Sequence, residues 1–317
     1  MTSVFIISAV AAIITALLVV PLTAKRKDMV TSIIGLSILT FIVLAIIYYV
    51  TNLDRNWTAL WPLLVITTLA GMLLAKGKEQ KAKGILFLGS LVIAIFMLTA
   101  PFWNADEKFK VAEMKQEVEI EAFDETKTPA SVPPKFARNK MKKAFGQVPN
   151  TSYYELGNLQ IQKVKDEYVY IAPVEFSGLF KWWNGDVTPG YFTMSATDSS
   201  DNPKFVEAEM SYTPSSYFHK NLERHMRMKH PTKIFYGAPQ LEIDEEGKPY
   251  YIRSYGSFIS ARNGFEVKGI VAVDPATGQT DSYKIADVPA FIDGAVSPET
   301  VSLQNSYFGN YIHGFME

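Results

Sequence analysis

Over the first hundred residues apolar positions run almost without interruption, and beyond them apolar and polar positions alternate. Four apolar stretches stand out: about Val4 to Ala24, Met29 to Val50, Ala59 to Ala75 and Ile85 to Phe102. Each is close to the roughly 20 residues that a helix needs to cross a hydrocarbon layer. None holds Asp, Glu, Lys, Arg or His. The first stretch is not patterned as a cleaved leader, because it has no basic residue before it and a basic cluster directly after it. The pattern predicts an α-helical transmembrane bundle of four helices over residues 1–103.

Residues 104–132 change character. Glu113, Glu117, Glu119, Glu121, Asp124 and Glu125 crowd together, and the segment closes with Thr-Pro-Ala-Ser-Val-Pro-Pro. This is the composition of a solvated stalk, with the alternating EVEIEAF as a candidate edge strand. From Pro133 a pattern starts that recurs after about eighty residues. A helix opening on Pro133-Pro134 places Phe136, Met141, Ala144 and Phe145 near one face, and strand-like runs YYELGNLQIQKV, YVYIAPVEF, GYFTMSATD and PKFVEAEM follow. The second pass has a helix near Tyr217 to Lys229, then KIFYGAPQLEID, PYYIRSYGSF, FEVKGIVAVD and SYKI. Both passes read as one helix packed on a small antiparallel sheet, so the expected fold is α+β in two tandem units, 133–212 and 213–286. Residues 287–317 form a helical C-terminal segment, opened by Ser297-Pro298-Glu299. Val301, Tyr307 or Phe308, Tyr311, Ile312 and Phe315 lie near one face of it. Two readings of that segment are open: it packs back on the second unit, or it starts a truncated third unit.

A helix followed by strands that end in V-x-V-D-x-x-T-G-x-x-x-x-Y, here Val271 to Tyr283, resembles PepSY-like domains. The resemblance covers about residues 133–286, and the first copy departs from it with Asp198-Ser199-Ser200-Asp201 in place of the D-x-x-T-G turn. It implies small extracytoplasmic bacterial modules, often in tandem and tethered to membranes, that bind or restrain other proteins and share no catalytic residues.

Charge adds direction. Lys25, Arg26 and Lys27 lie in the first connection, and Lys76, Lys78, Lys81 and Lys83 in the third; the second has only Arg55, beside Asp54. Basic connections stay in the cytoplasm. The N-terminus and the folded half are therefore expected outside the cytoplasm, in a multi-pass protein of the bacterial plasma membrane. Tyr48, Tyr49, Trp57, Trp61 and Trp103 gather at the expected outer boundary as membrane-interface anchors. The spans lack the ionisable groups that proton or ion pathways use. Overall 31 Lys and Arg balance 32 Asp and Glu, which gives no pull toward nucleic acid, and the absence of cysteine excludes disulfides and thiolate chemistry.

Two segments are candidate contact sites. Phe180, Lys181, Trp182 and Trp183 stand in one run, expected as a loop, with own-sheet packing, a partner and the outer leaflet as the three candidate covers. Lys220, Arg224, Arg227, Lys229 and Lys233 make the most basic stretch, either a cationic face for an anionic surface or a solvated helix face. His219, His225 and His230 miss the spacing of a helical metal pair, and no nucleophile elbow, phosphate loop, zinc-protease or dinucleotide motif is present. The expectation is a non-catalytic, membrane-anchored extracytoplasmic binding, regulatory or assembly protein of the cell envelope. It uses no cofactor or metal and works through the bilayer and another envelope protein, with homo-oligomerisation open. The alternatives are an accessory subunit of a channel or transporter, which needs a polar path between the helices, and a wall- or lipid-acting enzyme. The enzyme needs a pocket with convergent titratable groups.

Overall fold

The computed structural model describes residues 2–23, 25–51, 53–54, 56–112 and 130–311. Its first part is helical: α1 (Thr2–Val19), α2 (Arg26–Val50), a 3-10 turn (Trp57–Leu60) that runs into α3 (Trp61–Leu74), and α4 (Gly77–Trp103). Three stretches are long and apolar enough to cross a membrane, Arg26–Val50, Trp57–Leu74 and Gly77–Trp103. The described apolar part of α1, Phe5–Val19, is shorter. Large apolar side chains such as Ile38, Ile66, Val92 and Leu98 point outward. Such faces are costly in water and neutral in hydrocarbon. Small residues let the helices meet. A Cβ on Gly71 of α3 would overlap the Leu18 carbonyl of α1, and Thr68 of α3 shares a 2.8 Å hydrogen bond with Ser90 of α4.

The structure moves two boundaries: α2 starts at Arg26, so Arg26 and Lys27 belong to its first turn and not to the first connection. The third connection is only residues 75–76, because α4 starts at Gly77 and carries Lys78, Lys81 and Lys83 on its first turns. Lys, Glu and Gln are good helix formers, so the helix continues past its apolar stretch. Lys83 is buried; its Nζ donates to the carbonyls of Val20 (2.8 Å) and Val19 (3.4 Å) and pairs with Glu79 at 3.1 Å. Glu79 in turn accepts from the amides of Leu22 (2.7 Å) and Thr23 (3.1 Å). Lys83 thus closes carbonyls left open at the C-terminal end of α1, and Glu79 takes the amides of the turn that follows.

Where the sequence predicts a stalk, Ala105–Ala112 form α5; residues 113–129, with the candidate edge strand, lie outside the described residues. Next come α6 (Pro134–Ala144), β1 (Tyr154–Leu156), β2 (Gln160–Val164), β3 (Glu167–Phe176), α7 (Leu179–Gly185), β4 (Thr188–Ser195) and β5 (Lys204–Met210). β1 and β2 both pair with β3, followed by β4 and β5, all antiparallel. β3 is buried on both faces, which explains its near-continuous apolar run. Tyr170, Ala172 and Val174 pack with Phe192, Met194 and the α6 residues Ala137 and Met141, whereas Phe136 faces out. Ile171 turns to the other side.

That other side meets the second sheet. After α8 (Leu222–Lys229) come β6 (Ile234–Phe235), β7 (Gln240–Ile243), β8 (Pro249–Ile259), β9 (Gly264–Val273) and β10 (Thr280–Lys284). β6 and β7 pair with β8, followed by β9 and β10. The layer between the sheets contains Ile171, Tyr191 and Met210 from the first, Leu222 and Met226 from α8, and Leu241, Tyr251 and Val271 from the second. Asp274 shapes the turn into β10: its carboxylate accepts from the Ala276 and Thr277 amides (2.9 and 3.2 Å), and Gly278 supplies a φ of +75°. The outer face of the second sheet is covered by Val288, Phe291, Ile292 and Ala295. Ser297 then caps α9 (Pro298–Tyr311), accepting from the Thr300 amide at 3.2 Å. α9 lies against α5, and its Tyr307 hydroxyl accepts from the Phe265 amide at 3.2 Å. Val301 is exposed; the side chains of Phe308, Tyr311, Ile312 and Phe315 lie outside the described residues.

The folded half is seated on one end of the helices. At the β8–β9 tip, Arg262 pairs with Asp54 and donates to Thr58 Oγ1 at 3.1 Å. Ser260 Oγ donates to the Asn104 carbonyl at 3.3 Å, and its amide donates to Glu107 at 2.7 Å. Met228 of α8 packs with Leu53, Leu60 and Leu63. The connections at 20–25 and 75–76 lie at the other end.

Candidate functional site

A cleft of about 490 Å³ opens between the two sheets. Its walls come from both halves: Arg138 of α6, Glu155 to Asn158, Pro173 and Glu175 of β3, Ser215 of the linker, Glu223 of α8, Pro239 and Tyr251 of β8. In each sheet the outer strand is split in two, β1 from β2 and β6 from β7, and both gaps border this cleft. Glycine is required at the first gap, because a Cβ on Gly157 would come within 2.8 Å of both Pro173 and Glu175.

At the cleft wall Glu175 is buried and accepts from Tyr251 Oη (3.0 Å), from the Ser215 amide (3.2 Å) and from Ser215 Oγ. Burial pushes the Glu175 carboxyl above the usual range, while these hydrogen bonds pull it back. Burial, with the Glu175 charge beside it, holds the Tyr251 phenol well above its ordinary value. Arg138 donates to the carbonyls of Gly157 (2.7 Å) and Leu156 (3.1 Å). Glu223 pairs with Arg253 at 3.4 Å, and Arg253 also donates to the Gly237 carbonyl at 2.8 Å. Burial lowers the Arg253 pKa. The wall therefore holds three carboxyls, Glu155, Glu175 and Glu223, one outer guanidinium on backbone carbonyls, and the Gln160 side-chain oxygen, which is buried without a hydrogen-bond partner among the described residues. It suits a ligand that offers hydrogen-bond donors or positive charge.

None of Glu175, Ser215 or Tyr251 was singled out from sequence. The signal was an acid inside the apolar run YVYIAPVEF and, in the matching strand, Arg253 inside PYYIRSYGSF. A charge in a strand buried on both faces needs a partner.

The aromatic run is a short helix, α7, and not the loop expected. Gly178 (φ +118°) opens it and Asp186 (φ +61°) closes it, so the backbone turns sharply at both ends. Trp182 is 8% exposed, between the rings of Tyr217 (5.7 Å) and Phe218 (5.8 Å). Trp183 and Phe180 are 70% and 79% exposed. Lys181 Nζ stands 5.0 Å from the Tyr153 ring. Adjacent tryptophans thus have opposite fates, one in the core and one at the surface.

The basic stretch does not form one open face. Arg227 is buried, Lys229 is exposed, and Lys220 and Lys233 stand over the rings of Tyr212 (4.3 Å) and Tyr255 (3.3 Å). Arg224 reaches the helical region: it stacks 4.4 Å over Tyr49 and donates to the Tyr49 carbonyl at 2.8 Å. His225 bonds the Gly278 carbonyl (2.7 Å) and His230 bonds Thr280 (3.0 Å); burial lowers both pKa values. Among the anchors, Tyr49, Trp57 and Trp103 are exposed at the end that meets the folded half, and Trp61 is half-buried. Tyr48 differs: it is 1% exposed and packs with Ala11 and Leu44 inside the bundle, away from the exposed apolar positions of α2.

Fold and site define a class: a membrane-associated chain in which apolar helices carry an antiparallel, sheet-rich part with a polar cleft. Compared with protein-family models, curated proteins and solved structures, the chain matches none.

Proposed function

We propose that this chain is a four-span protein of the bacterial plasma membrane that displays a non-catalytic binding domain outside the cytoplasm and acts through another envelope protein. The cleft is the observation that carries the reading. Its buried titratable groups, Glu175 and Tyr251, are bonded to each other, with Ser215 on the same carboxylate, which favours recognition over turnover; a proton-transfer residue has to be free to exchange with substrate. The orientation has separate support. The basic connections lie at the end of the helices away from the folded half, as expected if that half is exported. α1, antiparallel to α2, supplies the fourth crossing. Both sheets share the order of split outer strand, two long strands and a closing strand, which supports two PepSY-like units in tandem.

The space between the helices, about 360 Å³, is lined mainly by Ala11, Ile14, Leu18, Leu64, Ile93 and Met97. That apolar lining speaks against a channel. The enzyme alternative keeps one point in its favour, the buried carboxyl of Glu175 beside the Ser215 hydroxyl.

In-cell photo-crosslinking tests the binding reading. A photoreactive residue at Asn158, on the cleft, is expected to give one discrete protein adduct, weakened by E155A with E223A. The same group at Ser199, on the distant β4–β5 turn, is expected to give none. Equal background from both positions contradicts the proposal.

A further inference from the structure

We infer that α7 and Phe218 form a second membrane contact, one that presses an aromatic face of the folded half into the headgroup region beside the helices. Leu179, Phe180 and Trp183 project from α7, and Phe218 adjoins them with its ring 6.5 Å from that of Trp183. All four are exposed. A contiguous apolar surface of this kind marks a contact.

Its position names the occupant. Arg224 donates to the Phe218 carbonyl at 2.5 Å and, by the same guanidinium, to the Tyr49 carbonyl at 2.8 Å. Tyr49 lies in the last turn of α2, which ends at Val50, so the aromatic face stands at the depth where that span leaves the hydrocarbon. The corresponding tip of the second sheet, Ser260–Arg262, rests on the ends of the helices through Asp54, Thr58 and Asn104. Both tips therefore approach the membrane end of the folded half. One meets protein, and the other stands beside the helices where lipid begins. The chemistry fits: tryptophan and phenylalanine settle at the interface, and a nearby lysine meets lipid phosphate. Lys181 supplies that charge. A lipid surface, continuous with the faces of the spans, is the single occupant this placement favours.

The inference rests on the helices crossing a bilayer but not on which side the folded half lies. The chain has no cysteine, so a single introduced thiol can carry a fluorophore without background. Full-length protein is reconstituted in phosphatidylcholine/phosphatidylglycerol vesicles with lipids that hold a quencher at shallow or deep positions. F180C carries the fluorophore, with W183C as an independent second site, S199C as the distant reference and I38C on α2 as the span reference. The expected result is quenching of the Phe180 and Trp183 sites by shallow-labelled lipid at least about two-fold above the Ser199 site. The Ile38 site should be quenched by deep-labelled lipid. Phe180 and Trp183 sites open to aqueous iodide, or shielded from both iodide and lipid as a protein cover would leave them, overturn the inference while the spans stand. Failure at Ile38 overturns the spanning reading and this inference together.

Discussion

Glu242 shows how one side chain sets a pH response. It is buried under the segment that covers the second sheet, and its two carboxylate oxygens accept from the amides of Asp293 (2.9 Å) and Gly294 (2.7 Å). Burial raises its pKa to about 7, with the amides pulling down and the Asp293 charge adding to the rise. The folded state therefore holds this proton more tightly than the unfolded state, where the pKa is near 4.5. Its stabilising contribution is present below about pH 4.5 and is lost as pH rises through about 7. E242Q is expected to remove that loss. Thermal unfolding of the detergent-solubilised chain should show wild type losing about 1–3 kcal/mol more than the variant between pH 5 and pH 8. Parallel pH profiles would disprove the assignment. Glu175 follows the same physics, but it is tied to Tyr251 across 76 positions of sequence. An acid inside an apolar strand can be read from sequence; its partners, brought by a different sheet, cannot.

Among the elements, the β8–β9 tip is the most strained. Ser260, Ala261 and Arg262 have φ of 49°, 48° and 75° in succession, none of them glycine. Each left-handed residue costs on the order of 1 kcal/mol, and the tip holds because Asp54, Thr58, Glu107 and Asn104 grip it. A261G relieves one of these positions without removing a contact made by Ser260 or Arg262. It is expected to raise stability by about 0.5–1 kcal/mol in denaturant titrations; a decrease would show that the backbone there is not strained. At this scale three of the apolar spans were legible, since hydrophobicity over a whole turn leaves little choice in water. The D-x-x-T-G turn was legible too, because Asp and Gly each do a specific backbone job there. The early start of α4 was not. Its lysines have the composition of a connection, and what makes them helical, Lys83 on the Val19 and Val20 carbonyls, comes from a distant part of the chain. Nor was α7, whose boundaries are set by two positive φ angles at Gly178 and Asp186.

The molecule as a whole is a folded half fixed to one end of a set of apolar helices, with basic connections at the opposite end. Sequence indicated the split at about residue 103 but not the intimacy of the two parts. Arg224 to Tyr49 and Arg262 to Asp54 join positions more than a hundred residues apart. The central claim is that the helices thread the bilayer and leave this half on its outer side. Labelling intact cells with a membrane-impermeant maleimide tests it most directly, using S199C in the folded half and K27C in the first turn of α2, at the basic end of the helices. The account predicts labelling of the first in intact cells and of the second only after permeabilisation. The reverse pattern would place the folded half in the cytoplasm and contradict it.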